Sequence, residues 1–191
     1  GFTSSGLKVS ATEPFIIDEI SRLLPEGMEA IFVDGANSFS LVDRTQRGNR
    51  FIAELRRLGL WGKSSLDKSI PEEYLLGSVS QRKDLLAGLV DGDGSSSNRN
   101  QYRTSSPQLK DGFLELVRSL GGSPIAREHG SWYRKPSGER VVCAPSWHVS
   151  IRTPFNPFRL PRKAEGWRAP KNTLARAISE IEPLGINLEM Q

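Results

Sequence analysis

Two aspartates one residue apart, Asp91 and Asp93, close the stretch LLAGLVDGDG (85–94), an apolar run of helix formers ending in alternating aspartate and glycine. A carboxylate at such a helix end is an oxygen ligand for a divalent cation, the chemistry to which Asp93 is suited. A plain helix-terminus or turn aspartate is the other use of the same residue. Ala87 and Gly88 are small enough for a second helix to pack at backbone contact, while Leu85, Leu86, Leu89 and Val90 fill a core on either side. Such a helix calls for a twin, because two helices that end together bring their carboxylates to one place. Asp91 points elsewhere and is expected to hydrogen-bond backbone near the end of the opposing helix. His129 and His148 have no spacing that suggests zinc, and Cys143 is the single cysteine, which excludes intrachain disulfides and thiolate clusters.

The elements that position these residues repeat. EPFIIDEISRLLPEG (13–27) carries Ile16, Ile20, Leu23 and Leu24 on one helical face, and SPQLKDGFLELVRSLGG (106–122) carries Leu109, Phe113, Leu116 and Val117. Pro107 falls 93 residues after Pro14, and the same offset superimposes all four apolar positions. Both prolines suit a first helical turn, preceded by a capping hydroxyl from Thr12 in one copy and from Ser105 or Ser106 in the other. A polar, strand-like hairpin precedes each helix: FTSSGLKVSATE and SSSNRNQYRTSS. Two further strands follow each, MEAIFVDGA with NSFSLVDR and SPIAREHGSWYRK with VVCAPSWHVSIRT, the latter joined by a turn at Pro136–Gly138. Each half closes with a helix or a basic, proline-bounded segment, GNRFIAELRRLGLWG and NPFRLPRKAEGWRAP. The motif helix is expected from Ser80 to Asp91, ahead of the second unit. By the same offset Gly1 reads as the last residue of a first copy of the motif.

A hydrophobic share of 37% and a charged share of 25% suit a folded globular protein. No apolar run approaches the roughly 20 residues needed to cross a bilayer, and no signal segment opens the chain, so a cytoplasmic protein with no membrane partner is expected. The net charge of +4 is uneven: up to Asp43, seven acids (Glu13, Asp18, Glu19, Glu26, Glu29, Asp34, Asp43) stand against Lys8 and Arg22, leaving −5 there and +9 beyond. A basic body suggests a polyanionic partner.

LAGLVDGDG (86–94) is similar to the nonapeptide that names the LAGLIDADG homing endonucleases, with Val90 for Ile and Gly92 for Ala. The similarity continues through LGLWGKSSLDKSIPEEYLLGSVSQRKD and NPFRLPRKAEGW, which resemble the endonuclease domain inside bacterial and phage inteins. The resemblance implies an α+β fold of two pseudo-symmetric αββαββα units, the first lacking its N-terminal motif helix. It divides the chain into a first endonuclease half (1–79), a second half with the motif (80–177) and the start of a C-terminal splicing segment (178–191). It implies sequence-specific, metal-dependent hydrolysis of both strands of DNA, with Mg²⁺ held by one aspartate from each motif. The metal ligands then fall on Asp93 and Gly92. Two lysines that flank the metals fall on Lys68 and Lys163, with Arg162 able to take the place of the second. Leu86, Ala87, Gly88, Leu89 and Asp91 form the helix interface.

Recognition of double-stranded DNA is expected from the hairpins, as a β-ribbon fits the major groove. The candidates are Arg99, Gln101, Arg103, Arg127, His129, Trp132, Arg134, Lys135, Arg140, His148 and Arg152, with Arg162 beside the motif, many on the period of two that one strand face requires. The stretch reads as cut from a larger element at both ends, fused to a host protein if part of an intein. With one motif, cleavage is expected to be incomplete as given. A non-cleaving DNA-binding module and an inactive intein fragment are the alternative functions, and pairing of two chains through the motif helix is a further possibility.

Overall fold

The structure, a computed structural model, describes residues 2, 3, 6–33, 37–97, 100–171, 180 and 181. Gly1, Arg99 and most of 178–191 lie outside the described residues. The chain is an α+β protein. In order, its elements are β1 (Phe2–Thr3), β2 (Gly6–Ser10), α1 (Pro14–Leu23), β3 (Met28–Val33), β4 (Ser38–Asp43), α2 (Arg50–Arg57), α3 (Glu72–Leu75), α4 (Val79–Asp93), β5 (Gly94–Ser95), β6 (Gln101–Thr104), α5 (Pro107–Ser119), β7 (Ile125–Arg134), β8 (Arg140–Ser150) and α6 (Pro161–Gly166). Two four-stranded antiparallel sheets have matching orders, β1-β2-β4-β3 and β5-β6-β8-β7. Among the described residues no helix is long and apolar enough to cross a membrane.

The motif helix starts earlier and ends later than its pattern predicts. Ser78 caps α4 in a capping box with Gln81, and the helix runs through Gly92 to Asp93. Asp93, rather than Asp91, is therefore its last residue. Gly94 stops it: its N–H bonds to the carbonyl of Val90, and a Cβ there would stand 2.4 Å from that oxygen. The one-turn α3 in PEEYL had no periodicity to betray it. The hydroxyl of Ser106 caps α5 by accepting from the N–H of Leu109 at 3.1 Å. The N-cap of α1 is instead Glu13, without a side-chain cap, so the role expected of Thr12 is not realised.

The core belongs to the second sheet. Leu86 and Val90 of α4, Tyr102 of β6, Phe113, Leu116 and Val117 of α5, and Val149 of β8 are all fully buried, and the rings of Tyr102 and Phe113 stack at 4.1 Å. All four apolar positions read on α5 are buried, because α4 and the second sheet together enclose them. Their counterparts on α1 are not: α1 has no buried residue and Leu23 is 61% exposed. Instead Ile16, Ile20 and Leu23 form one wall of a cavity of about 430 Å³, whose other wall is the Asp84, Gly88, Gly92 stripe of α4.

A buried carboxylate, Asp43, anchors the end of the smaller sheet through an ion pair. Asp43 accepts from Arg50 at 2.8 Å and from the Thr45 hydroxyl at 2.7 Å. Arg50, followed by Thr45, holds the Asp43 carboxyl well below the usual carboxylate range. A depressed folded-state pKa adds stability above the unfolded value near 3.8, and that stability drains away as pH falls below it. Asp43→Asn is therefore expected to lower the Tm at neutral pH and to flatten the fall in Tm between pH 5 and pH 2, read by circular dichroism. A parallel fall in both proteins would sink the linkage.

Candidate functional site

Four C-terminal carbonyls of a helix lack intrahelical partners and carry the negative end of its dipole. At the end of α4 these carbonyls are met by a buried cation. Lys163 Nζ donates to the carbonyls of Asp91 at 2.6 Å, Val90 at 3.1 Å and Gly92 at 3.4 Å, and the side chain is only 6% exposed. Burial pushes the pKa of its ammonium down, against the upward pull of Asp91. The contact is reciprocal. The half-buried Asp91 carboxylate accepts from the N–H groups of Arg159 at 3.1 Å and Leu160 at 3.2 Å, where the chain enters α6. Burial raises the Asp91 pKa, and those two N–H groups oppose the rise. Asp91 thus bonds backbone as read from the sequence, but its partners lie at the start of α6 rather than on an opposing motif helix. Arg159 also pairs with Asp84 one face away. Arg162 is exposed and reaches Glu13 at the head of α1, 2.7 Å away.

Asp93 faces the other way. It is exposed and makes no hydrogen bond or ion pair among the described residues. It lines a depression of about 380 Å³ together with Lys68, Arg103, His148, Ser65 and Ser146. Lys68 is brought there by its backbone: the buried Ser106 hydroxyl donates to its carbonyl at 2.5 Å while capping α5. Arg103 and His148 arrive as direct cross-strand partners on β6 and β8. Beneath them Tyr102 is fully buried, its hydroxyl without a partner among the described residues and its pKa raised by burial and by the charge of Asp93. Among the described residues no three His, Cys, Asp or Glu side chains come together to hold a metal ion. Asp93 offers one carboxylate, which fits half of a Mg²⁺ site, since that ion is commonly bound through one or two carboxylates with waters and substrate phosphates.

The depression opens onto the face of the second sheet turned away from α5. Val149 and Tyr102 point to the helix, so alternation sends Gln101, Arg103, Arg127, His129 and His148 outward. Gln101, Arg127, His129 and His148 surround, with Arg152, a hollow of about 300 Å³ that shares His148 with the Asp93 depression, which Arg103 lines. The rings of His129 and His148 stack at 4.0 Å, and burial, followed by His129 and Arg103, lowers the His148 pKa. The remaining ribbon candidates do not share this face. Beyond the β-bulge between His129 and Ser131, the even positions Trp132 and Arg134 pair with Val142 and Arg140, on the opposite side of the ribbon. Lys135 pairs with Glu139 in the turn. The sheet of the first half contributes little charge, Lys8 being the one basic residue in β1 to β4.

The helix-interface residues divide by face. Leu86 and Ala87 are buried and Leu89 half-buried, while Gly88 and Gly92 face the cavity shared with α1, with nothing within 4 Å of an added Cβ. Sequence reasoning named Ser106 only as one of two candidate helix caps, and it missed Tyr102 and Arg159; Arg159 carried no signal.

An α+β chain with a lone acidic helix end beside a basic sheet face is what the geometry defines. No family model matches the chain. It is 34% identical over 121 residues, 62% of its length, to a replicative DNA helicase DnaB of Mycobacterium intracellulare. Those residues span about a sixth (17%) of that protein.

Proposed function

We propose that the chain is the DNA-cleaving part of a LAGLIDADG homing endonuclease carried by an intein, with a DnaB-type replicative helicase as host. The observation that carries this reading is the meeting of Asp93, Lys68, Arg103 and His148 in one depression at the mouth of a basic sheet face. The likeness to a stretch of a DnaB helicase supports the choice of host.

In this reading the outward face of the second sheet holds duplex DNA. Arg103, Arg127 and Arg152 neutralise phosphates, and the strand alternation presents Gln101 and His129 to base edges. Asp93 would hold Mg²⁺, which when bound supplies Lewis-acid polarisation of the scissile phosphoryl group and a more acidic water, whereas the Gly92 carbonyl expected as a second ligand is turned to the Lys163 ammonium. Lys68, exposed in the same depression, sets its ammonium against the charge that grows on the phosphoryl oxygens. The clamp between α4 and α6 fixes the helix end, so that Asp93 meets the phosphate from a constant position. A second carboxylate comes from another small-residue helix, seated on Gly88 and Gly92 and covering Ile16, Ile20 and Leu23. In this reading that helix is supplied by another polypeptide segment or by a second copy of the chain.

A non-cleaving DNA-binding module is the second reading, favoured by the single carboxylate at the site. Supercoiled plasmid carrying an uninterrupted DnaB helicase gene, incubated with Mg²⁺ and either this chain or an upstream-extended form, separates the two. Site-specific cleavage by the extended form is the expected result. Tight, site-specific binding without nicking by both forms would overturn the nuclease reading in favour of the module.

A further inference from the structure

Past Ser146 the β7–β8 hairpin leaves its sheet, since β6 pairs with β8 only from Trp147 to Ser150. Four residue pairs, Ser131 with Cys143, Trp132 with Val142, Tyr133 with Val141 and Arg134 with Arg140, continue as a two-stranded ribbon. An isolated ribbon of this kind is marginal in water. This one nonetheless exposes large apolar side chains: Trp132 is 52% exposed, Tyr133 53% and Val142 76%. They alternate across the ribbon, with Trp132, Arg134, Arg140 and Val142 on one side and Tyr133 on the other.

The charge at this end fits one class of partner. Arg134, Lys135 and Arg140 crowd the last turn, and the single acid there, Glu139, is matched by Lys135 at 2.9 Å. The Arg140 guanidinium lies 4.6 Å from the centre of the Trp132 ring. One indole face is thus backed by a cation, and half the side chain stays free to take a second flat group. A lipid surface or an apolar protein face would be met by apolar groups on one side only. Here aromatic groups sit on both sides of a narrow, basic finger, the shape of something inserted between two walls.

We propose that the end of the β7–β8 hairpin is a wedge that enters a groove of duplex DNA and stacks Trp132 on a nucleobase at an opened step, with Arg140 as its cationic backing. This rests on the reading that the chain binds duplex DNA. It assigns the end of the ribbon a different task from the sheet face behind the bulge: that face positions the duplex along Arg127, His129 and Arg152, and the wedge distorts it at a distance. Apolar side chains driven between base steps unstack and kink DNA in this way.

The test uses the whole chain, sonicated duplex DNA for affinity by fluorescence anisotropy, and duplexes carrying 2-aminopurine at successive positions for unstacking. Trp132→Ala is expected to weaken duplex binding roughly ten- to a hundredfold, the range for loss of one base–aromatic stack. It should also erase the rise in 2-aminopurine emission. Trp132→Phe, which keeps a ring, should retain most of both signals, and an unchanged circular dichroism spectrum shows that each variant folds. Wild-type binding and 2-aminopurine emission reproduced by Trp132→Ala would overturn the wedge and leave the nuclease reading intact. Failure of the wild-type chain to bind any duplex, or its preference for vesicles of anionic phospholipid, would overturn both together.

Discussion

Asp93→Asn abolishes Mg²⁺-dependent cleavage by a cleaving form of this protein, by on the order of a thousandfold or more, and leaves duplex affinity nearly unchanged. The size follows from losing one anionic ligand of an ion that stabilises the transition state by several kcal/mol, each ~1.4 kcal/mol being a factor of ten in rate. Binding should survive because, in the proposed reading, the arginines of the sheet face rather than Asp93 meet the phosphates. The same substitution has a second expected effect of opposite sign. Asp93 ends α4, where the helix dipole disfavours an anion, and unlike Asp91 it makes no hydrogen bond or ion pair among the described residues. Removing its charge should therefore stabilise the fold, by about 0.3–1 kcal/mol. Mn²⁺ binding followed by electron paramagnetic resonance gives an independent reading on the chain itself, where the variant should bind more weakly. Full cleavage by Asp93→Asn, or Mn²⁺ affinity equal to wild type, would remove Asp93 from the metal site.

Local pattern and tertiary partner were legible to different degrees. The alternation of FTSSGLKVSATE, MEAIFVDGA and their later counterparts marked every strand of both sheets, because period and turn chemistry are local properties. The face of α1 was likewise visible in Ile16, Ile20 and Leu23, but periodicity names a face without naming its cover. On α5 the same pattern is buried between α4 and the second sheet, and on α1 it lines a cavity. Alternation also placed Arg103, Arg127, His129 and His148 on one side of the second sheet. It failed for Trp132 and Arg134, which were grouped with them although an odd-to-even change of position on β7 separates them, and for Arg140, which shares the parity of His148 but lies beyond a bulge that gives β8 one extra residue opposite Gly130. Lys68 could be named only through the resemblance. Its route into the depression, a hydroxyl of Ser106 holding its carbonyl, spans 38 residues that no local signal connects. The Asp91 contacts to Arg159 and Leu160 span more still: the sequence assigned Asp91 to backbone N–H groups but could not name these two, which no local signal connects to LAGLVDGDG.

Lys163→Met is expected to destabilise the protein by about 2–4 kcal/mol, whatever it does to cleavage. The resemblance places this lysine beside the metals, yet its ammonium is 6% exposed and set within 3.4 Å of three carbonyls at the end of α4. Methionine keeps the length and apolar stem of the side chain, so packing is largely preserved. What disappears is the cation at the helix terminus, worth up to about 2 kcal/mol in partly buried geometry, and the charge-assisted bonds that satisfy buried carbonyls. The carbonyl of Val90 retains the N–H of Gly94, whereas those of Asp91 and Gly92 lose the ammonium they share. Urea titration should show the loss as a lower midpoint at constant slope, with Tm down by roughly 5–15 °C for a chain of this size. Asp93 is then held by a frayed helix end, so Mn²⁺ affinity should fall with stability, and arginine, too bulky for the buried position, should not restore either. Had Lys163 its role at the scissile phosphate instead, the methionine variant would unfold at the wild-type urea concentration and bind Mn²⁺ normally while losing cleavage alone. That pattern would move the ammonium out of the helix cap and into the reaction.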